Sequence, residues 1–206
     1  MEIVHIFSTP VWISALPDFE DHKESFLTSV RNFKQRNPQG EQKSNINGYQ
    51  SPFTLQKEGE LIPLFEYVCN MAMSAIHDLN FVESNIFITE AWVNFNDSRQ
   101  CMNSEHVHGD VFSGVFYLNA PPESGNFVIS NPGLNRVWNG RKLIKEKNQF
   151  TGEMMRIEPE EGSIILFPSY VPHSVETNNH DDERISISFN IGAMPSAQFE
   201  GLMQQQ

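Results

Sequence analysis

Cysteine is nearly absent: Cys69 and Cys101 are the only two in 206 residues. That excludes a disulfide framework and leaves a hydrophobic core to carry the fold. Positive charge is scarce too. The 14 Lys and Arg are outnumbered by 26 Asp and Glu, a net charge of −12. Phosphate backbones are gripped by Lys and Arg, so this balance argues against nucleic acid as partner; an acidic surface favours solubility instead. Long apolar runs are also missing. No stretch approaches the roughly 20 residues of a membrane-spanning helix, and the opening Met-Glu-Ile-Val-His-Ile-Phe lacks the basic region and apolar run of a signal peptide. A cytoplasmic protein is expected, in a reducing compartment that suits free thiols.

What is present reads as helices first and strands afterwards, without internal repeats and with only Gln204–Gln206 as a low-complexity tail. Residues 3–13 alternate loosely, as an edge strand interrupted by Pro10. From Asp18, a plausible cap, Phe19, Phe26, Val30 and Phe33 recur on one helical stripe, which Asn37-Pro38 ends. Residues 39–58 are polar and read as an exposed loop. A second helix is expected over Glu60–Leu79, with Leu64, Val68, Met71, Ala75 and Leu79 on its apolar face and Pro63 in its first turn. Strands are then expected at Ile86–Asn96, Val111–Asn119, Phe127–Ser130, Arg136–Trp138, Met154–Ile157 and Ser163–Phe167, a cadence that suggests a jelly roll. At this length a single domain is expected: a supporting strand and helices over 1–83, a core over 84–192 that carries the site, and a tail over 193–206.

Three short pieces carry chemistry: His106-Val-His108-Gly-Asp110, Pro172-His173, and Arg184-Ile-Ser-Ile-Ser188. A non-haem Fe(II) centre that activates oxygen uses two imidazoles and a carboxylate on one face, with open positions for a cosubstrate and dioxygen. In an extended segment His106, His108 and Asp110 share a face, but residues four apart lie about 13 Å apart. His106 and Asp110 therefore cannot both reach one ion at roughly 2.0–2.2 Å. Choosing Asp110 gives His108, Asp110 and His173 as ligands; pairing His108 with His106 gives a three-histidine alternative. Arg184, on the last strand, can grip a carboxylate with two parallel hydrogen bonds. Along that strand Arg184, Ser186, Ser188 and Asn190 alternate with Ile185, Ile187, Phe189 and Ile191. In a barrel that holds a polar ligand, the polar face looks inward and the helices cover the apolar one. Tyr117 can add a phenol donor. A second His-x-Asp, at His180–Asp182, sits among turn residues and reads as a solvated turn.

The order His-x-Asp, distal histidine and Arg-x-Ser, with Phe-Tyr-Leu-Asn after the first motif and Gly162-Ser-Ile-Ile-Leu-Phe-Pro168 before the second, resembles the 2-oxoglutarate and Fe(II)-dependent oxygenase superfamily. More narrowly, Ser113-Gly-Val-Phe-Tyr-Leu118, Pro172-His173 and Arg184-Ile-Ser-Ile-Ser-Phe-Asn190 are similar to members common in marine phages and bacteria. The resemblance spans about residues 86–192. It implies a mainly β, double-stranded β-helix fold (jelly roll, cupin-like) with N-terminal helices. It also implies iron on His108, Asp110 and His173, and 2-oxoglutarate on Arg184 with Tyr117 and Ser186 or Ser188 nearby. The first motif of that group reads His-x-His-Pro, whereas this chain has Gly109-Asp110 there, so the mate of His108 stays open between His106 and Asp110.

The implied activity is a dioxygenase that hydroxylates a small molecule or peptide, using Fe(II), 2-oxoglutarate and O2 and releasing succinate and CO2. In a phage-encoded copy the compartment would be the host cytoplasm. Two other classes share these residues: a cupin-like metalloenzyme of different chemistry, and a non-catalytic jelly-roll binding module. The loop at 39–58 and the segment 133–152, with Arg136, Trp138, Arg141 and Lys142, are candidate substrate walls.

Overall fold

The structure is a computed structural model that describes residues 8–97, 102–133, 142–148 and 151–203. The expected strand at Arg136–Trp138, the candidate wall residue Arg141, Cys101, residues 1–7 and the Gln204–Gln206 tail lie outside the described residues. Helix α1 spans Phe19–Arg36 and buries Phe19, Phe26, Ser29, Val30 and Phe33, the stripe that the sequence spacing predicts. Asp18 is not the side-chain cap expected of it. It adopts a left-handed φ of 52° and makes no side-chain capping bond, so only its carbonyl serves the helix, accepting from the Asp21 N–H at 3.0 Å. Asn37 closes the last turn, its amide donating to the Phe33 carbonyl at 2.9 Å. Helix α2 spans Ile62–Asp78 with a proline in its first turn, where a missing N–H costs nothing.

Among the described residues, eleven strands form two antiparallel sheets. They are β1 (Trp12–Ala15), β2 (Asn45–Ile46), β3 (Tyr49–Gln50), β4 (Ser84–Asn96), β5 (Met102–His106), β6 (Phe112–Asn119), β7 (Phe127–Ser130), β8 (Met154–Ile157), β9 (Ser163–Pro168), β10 (His173–Val175) and β11 (Arg184–Pro195). The larger sheet runs β1-β9-β6-β11-β4-β3 and the smaller β2-β5-β10-β7-β8. Two expectations are corrected here. Residues 39–58 are not simply an exposed loop, because β2 pairs with β5 and β3 with β4, and Gln50, Ser51 and Leu55 are buried. The segment 193–206 is not a bare tail: β11 runs to Pro195 and helix α3 follows at Ser196–Met203. Strand β5 has no counterpart among the expected strands, whereas His173 of β10 falls on a strand as expected. Both carry mostly polar residues and become strands only by pairing with each other and with β7.

Strand β11 fixes the orientation of the larger sheet. Ile185, Ile187, Phe189 and Ile191 are fully buried in one cluster with Val30, Leu64 and Val68 of the two helices. Each such side chain contributes about 1.5–3 kcal/mol when taken out of water. A one-residue slip would turn all four away from the helices and put the polar residues against them, so the register is held and the alternate residues are forced to the opposite face. That face carries Arg184, Ser186, Ser188 and Asn190. Their neighbours in register are Asn96, Asn94 and Trp92 on β4 and Tyr117, Val115 and Ser113 on β6. The polar face thus looks between the two sheets, toward a second apolar cluster that includes Phe127, Ile129, Phe167 and Val171. No helix among the described residues is long and apolar enough to cross a membrane.

Candidate metal centre

Strand β5 ends at His106, which is the register partner of His173 on β10. The chain then leaves the strand, and the His108 N–H donates to the Ser169 carbonyl at 3.0 Å. That bond folds His108 back over the two other rings. Ring centroids lie 4.3 Å apart for His106 and His173, 4.9 Å for His106 and His108, and 5.6 Å for His108 and His173. One ligand atom from each of the three falls within 4.8 Å of the others, the one such cluster of His, Cys, Asp or Glu among the described residues. Two donors opposite each other at about 2.1 Å from one ion span roughly 4.2 Å, so small ring rotations suffice to close on an ion.

Asp110 is not in this cluster. Its carboxylate accepts a hydrogen bond from the Thr89 hydroxyl at 2.8 Å, on β4. The expected set His108, Asp110 and His173 is therefore not the one that converges; the three-histidine alternative is. The physical reason is the end of β5. Beyond His106 the shared-face rule no longer applies, and the turn that brings His108 inward carries Asp110 past the cluster. His180 lies in the segment between β10 and β11, where its Nδ1 accepts from the Asp182 N–H at 3.0 Å, as a turn histidine does.

Hydrogen bonds orient two of the rings. Nδ1 of His106 meets the Ser104 carbonyl at 2.7 Å and Nδ1 of His173 meets the Val171 carbonyl at 2.9 Å. A carbonyl only accepts, so each Nδ1 carries the proton and each Nε2 keeps a lone pair for a cation. Burial and the neighbouring His106 push His173 down to about 3, and the same two causes push His108 to about 4. Both imidazoles are thus neutral at physiological pH, the form in which a ring nitrogen can bind a cation.

Deeper in, Arg184 is 1% exposed. A buried guanidinium needs hydrogen bonds to repay its desolvation. Its Nη1 donates to the carbonyls of Ser124, Gly125 and Glu176. Gly125 makes that arrangement possible: its φ is +90°, and a Cβ there would stand 2.4 Å from the Glu176 carbonyl oxygen. Tyr117, also 1% exposed, has a phenolic oxygen with no hydrogen-bond partner among the described residues. Burial pushes its phenol up to about 12, against the opposing charge of Arg184. A neutral phenol proton without a partner among the described residues, close to a guanidinium, suits the carboxylate of an acidic ligand. Ser186 and Ser188 line the cavity that reaches the three histidines. Sequence reasoning missed Trp92, Asn94 and Asn103 in that lining; the alternation Trp92, Asn94, Asn96 inside an otherwise apolar strand was the available signal.

Two sheets that enclose three imidazoles, with a buried arginine on the inward face of the same fold, form a candidate metal centre in a jelly roll. Residues 90–190 match the family model described as "Putative 2OG-Fe(II) oxygenase", a family that uses Fe(II), 2-oxoglutarate and O2. Solved structures agree on the fold. A Pseudomonas putida prolyl-4-hydroxylase is similar at TM-score 0.63 and 14% identity, over 89% of this chain and 93% of that one. A prolyl hydroxylase from Trichoplax adhaerens, solved with a hypoxia inducible factor peptide, is similar at 0.61 and 14%, over 93% and 86%. The carbocyclase SnoK of nogalamycin biosynthesis is similar at 0.65 and 10%, over 89% and 79%. No curated protein sequence matches the chain.

Proposed function

We propose that this oxygenase is a hydroxylase of a small molecule or peptide, with His106, His108 and His173 as the iron ligands and Arg184, Tyr117, Ser186 and Ser188 as the 2-oxoglutarate pocket. The observation that carries the reading is the convergence of three imidazoles on a cavity lined by Ser186 and Ser188, with Arg184 buried two residues earlier on the same strand. With iron and cosubstrate both in place, O2 would be the oxidant and 2-oxoglutarate the electron donor, one oxygen atom ending in succinate as CO2 is lost and the other in the substrate. The chain's own contribution is position and charge. Three neutral imidazoles leave both positive charges of the ion uncompensated, which favours a dianionic cosubstrate. Arg184 offers the planar fork that suits a carboxylate, and Tyr117 offers the nearby proton. Hydroxylation fits the two prolyl hydroxylases among the similar folds; the carbocyclase shows that the same scaffold also serves other outcomes. A reducing cytoplasm is the compartment proposed, since it keeps both Fe(II) and the free thiol of Cys69 reduced.

The test is anaerobic addition of Fe(II) and 2-oxoglutarate, which should give a weak visible charge-transfer band, followed by succinate release in air. Arg184→Ala should abolish the band. Its persistence in that variant would remove Arg184 from this role, and a protein that binds metal without turning over 2-oxoglutarate would belong instead to a cupin-like enzyme of other chemistry.

A further inference from the structure

His108 differs from the other two histidines in what holds it. Among the described residues no carbonyl meets its Nδ1. The amide end of Asn190 does, with Nδ2 placed 3.3 Å away. Asn190 is 1% exposed and sits on β11, six residues beyond Arg184. Its other end, placed as Oδ1, lies 2.8 Å from the Ser113 hydroxyl, which in turn lies 3.0 Å from the Ser169 hydroxyl. Ser113 and Ser169 are buried as well. Ser169 is also the residue whose carbonyl anchors the His108 N–H, so the chain of side chains begins and ends on the same histidine.

Which end of the amide faces the ring decides whether His108 can bind a cation. If the NH2 group donates to Nδ1, the imidazole proton sits on Nε2 and blocks the lone pair that an ion needs. If the amide oxygen accepts from Nδ1–H, Nε2 is bare. Amide orientation follows from the whole network rather than from the positions of the heavy atoms. With the oxygen toward His108, the NH2 group donates to Ser113, and Ser113 spends its single hydroxyl proton on Ser169. Every contact is then satisfied, as it also is with the amide placed the other way round, and of the two only this orientation leaves Nε2 bare for a cation.

We propose that Asn190, held by Ser113 and Ser169, is a positioning residue that fixes the Nδ1–H tautomer of His108. It would do for this ring what backbone carbonyls do for His106 and His173. The inference rests on the three-histidine reading of the site. Partners of this kind, behind a metal-binding histidine, commonly change affinity 10–100-fold when removed. The role is separable from folding because an acceptor-only group at 190 should preserve it.

Two measurements on the full chain test this. In chelator-treated protein labelled with nitrogen-15 histidine, long-range proton–nitrogen correlation should show His108 protonated at Nδ1; protonation at Nε2 would overturn the proposal without any metal being present. In Co(II) titrations Asn190→Leu should lose about 10–100-fold in affinity, while Asn190→Asp, which can only accept, should hold wild-type affinity or better. Wild-type affinity in Asn190→Leu, or an Asn190→Asp no better than Asn190→Leu, would sink it. Should Asn190→Leu fail to fold, Ser113→Ala takes its place, since it frees the amide to turn over and should give a mixture of tautomers at His108; a single Nδ1–H form there would count against the relay. A wild-type protein that bound no Co(II) would sink the metal reading itself, and the tautomer measurement would still judge Asn190.

Discussion

His106 and His173 are cross-strand partners on β5 and β10, and their rings meet at 4.3 Å between centroids. Two residues 67 positions apart in sequence are thereby fixed by sheet register rather than by loop geometry. A site built on paired strands is more rigid than one built on loops, and the remaining freedom lies in His108, one step past the end of β5.

Removing an imidazole and removing Asp110 should therefore differ in kind. His106→Ala and His173→Ala are each expected to weaken Co(II) binding beyond the ~10–100-fold that loss of an outer partner costs. Asp110→Ala should stay within about tenfold of wild type on the same scale. Isothermal titration reads both, and the reverse ranking would restore the carboxylate as a ligand.

Tyr117→Phe removes a buried hydroxyl that has no partner in the ligand-free protein. An unsatisfied buried polar group costs about 1–3 kcal/mol. The variant should accordingly be as stable as wild type or slightly more so in urea. Its affinity for 2-oxoglutarate, measured by equilibrium dialysis with metal present, should fall about fivefold, the worth of one ordinary hydrogen bond. A stability loss with unchanged affinity would place the phenol outside the cosubstrate pocket.

Acid should destabilise the metal-free protein in a defined window. Burial and the neighbouring His106 hold His108 down at about 4 and His173 at about 3, both below the ordinary 6.5. Between those values and 6.5 the unfolded chain binds more protons than the folded one, so stability is full above 6.5 and is lost as pH falls toward 4. Urea midpoints of chelator-treated protein at pH 7, 5.5 and 4.5 should decline in that order, and the decline should be shallower in His173→Gln.

Gly114 tests the packing of the larger sheet. A Cβ there would stand 2.4 Å from the Phe189 ring and 2.7 Å from the Ile165 carbonyl oxygen. Gly114→Ala must therefore push Phe189 or bend β9. A loss of about 1–3 kcal/mol is expected from overpacking, read by chemical denaturation, with Ala at this position tolerated only if Phe189 is shortened in the same protein.

Much of the site was legible because chemistry and periodicity coincide in this chain. The alternation on β11 announced which residues face inward, and the buried isoleucines show why: the helices claim that face. The stripe Phe19, Phe26, Val30 and Phe33 likewise gave α1, since a helix of 18 residues leaves its 3.6-residue period in the sequence. Short polar strands leave no such trace. Nothing in Met102–His106 marks a strand until another strand lies beside it, and β2 and β3 were hidden in a segment that reads as a loop.

The sequence by itself determined the kind of chemistry, through the histidines, the arginine on the last strand and their order, and it determined which face of β11 is polar. Only the tertiary structure brings His106, rather than Asp110, together with His108 and His173. That choice depends on where β5 stops pairing and on the Ser169 carbonyl that turns His108 inward. Both are contacts between residues about sixty or more positions apart, and a local pattern cannot encode the distance between two side chains whose strands have not yet met.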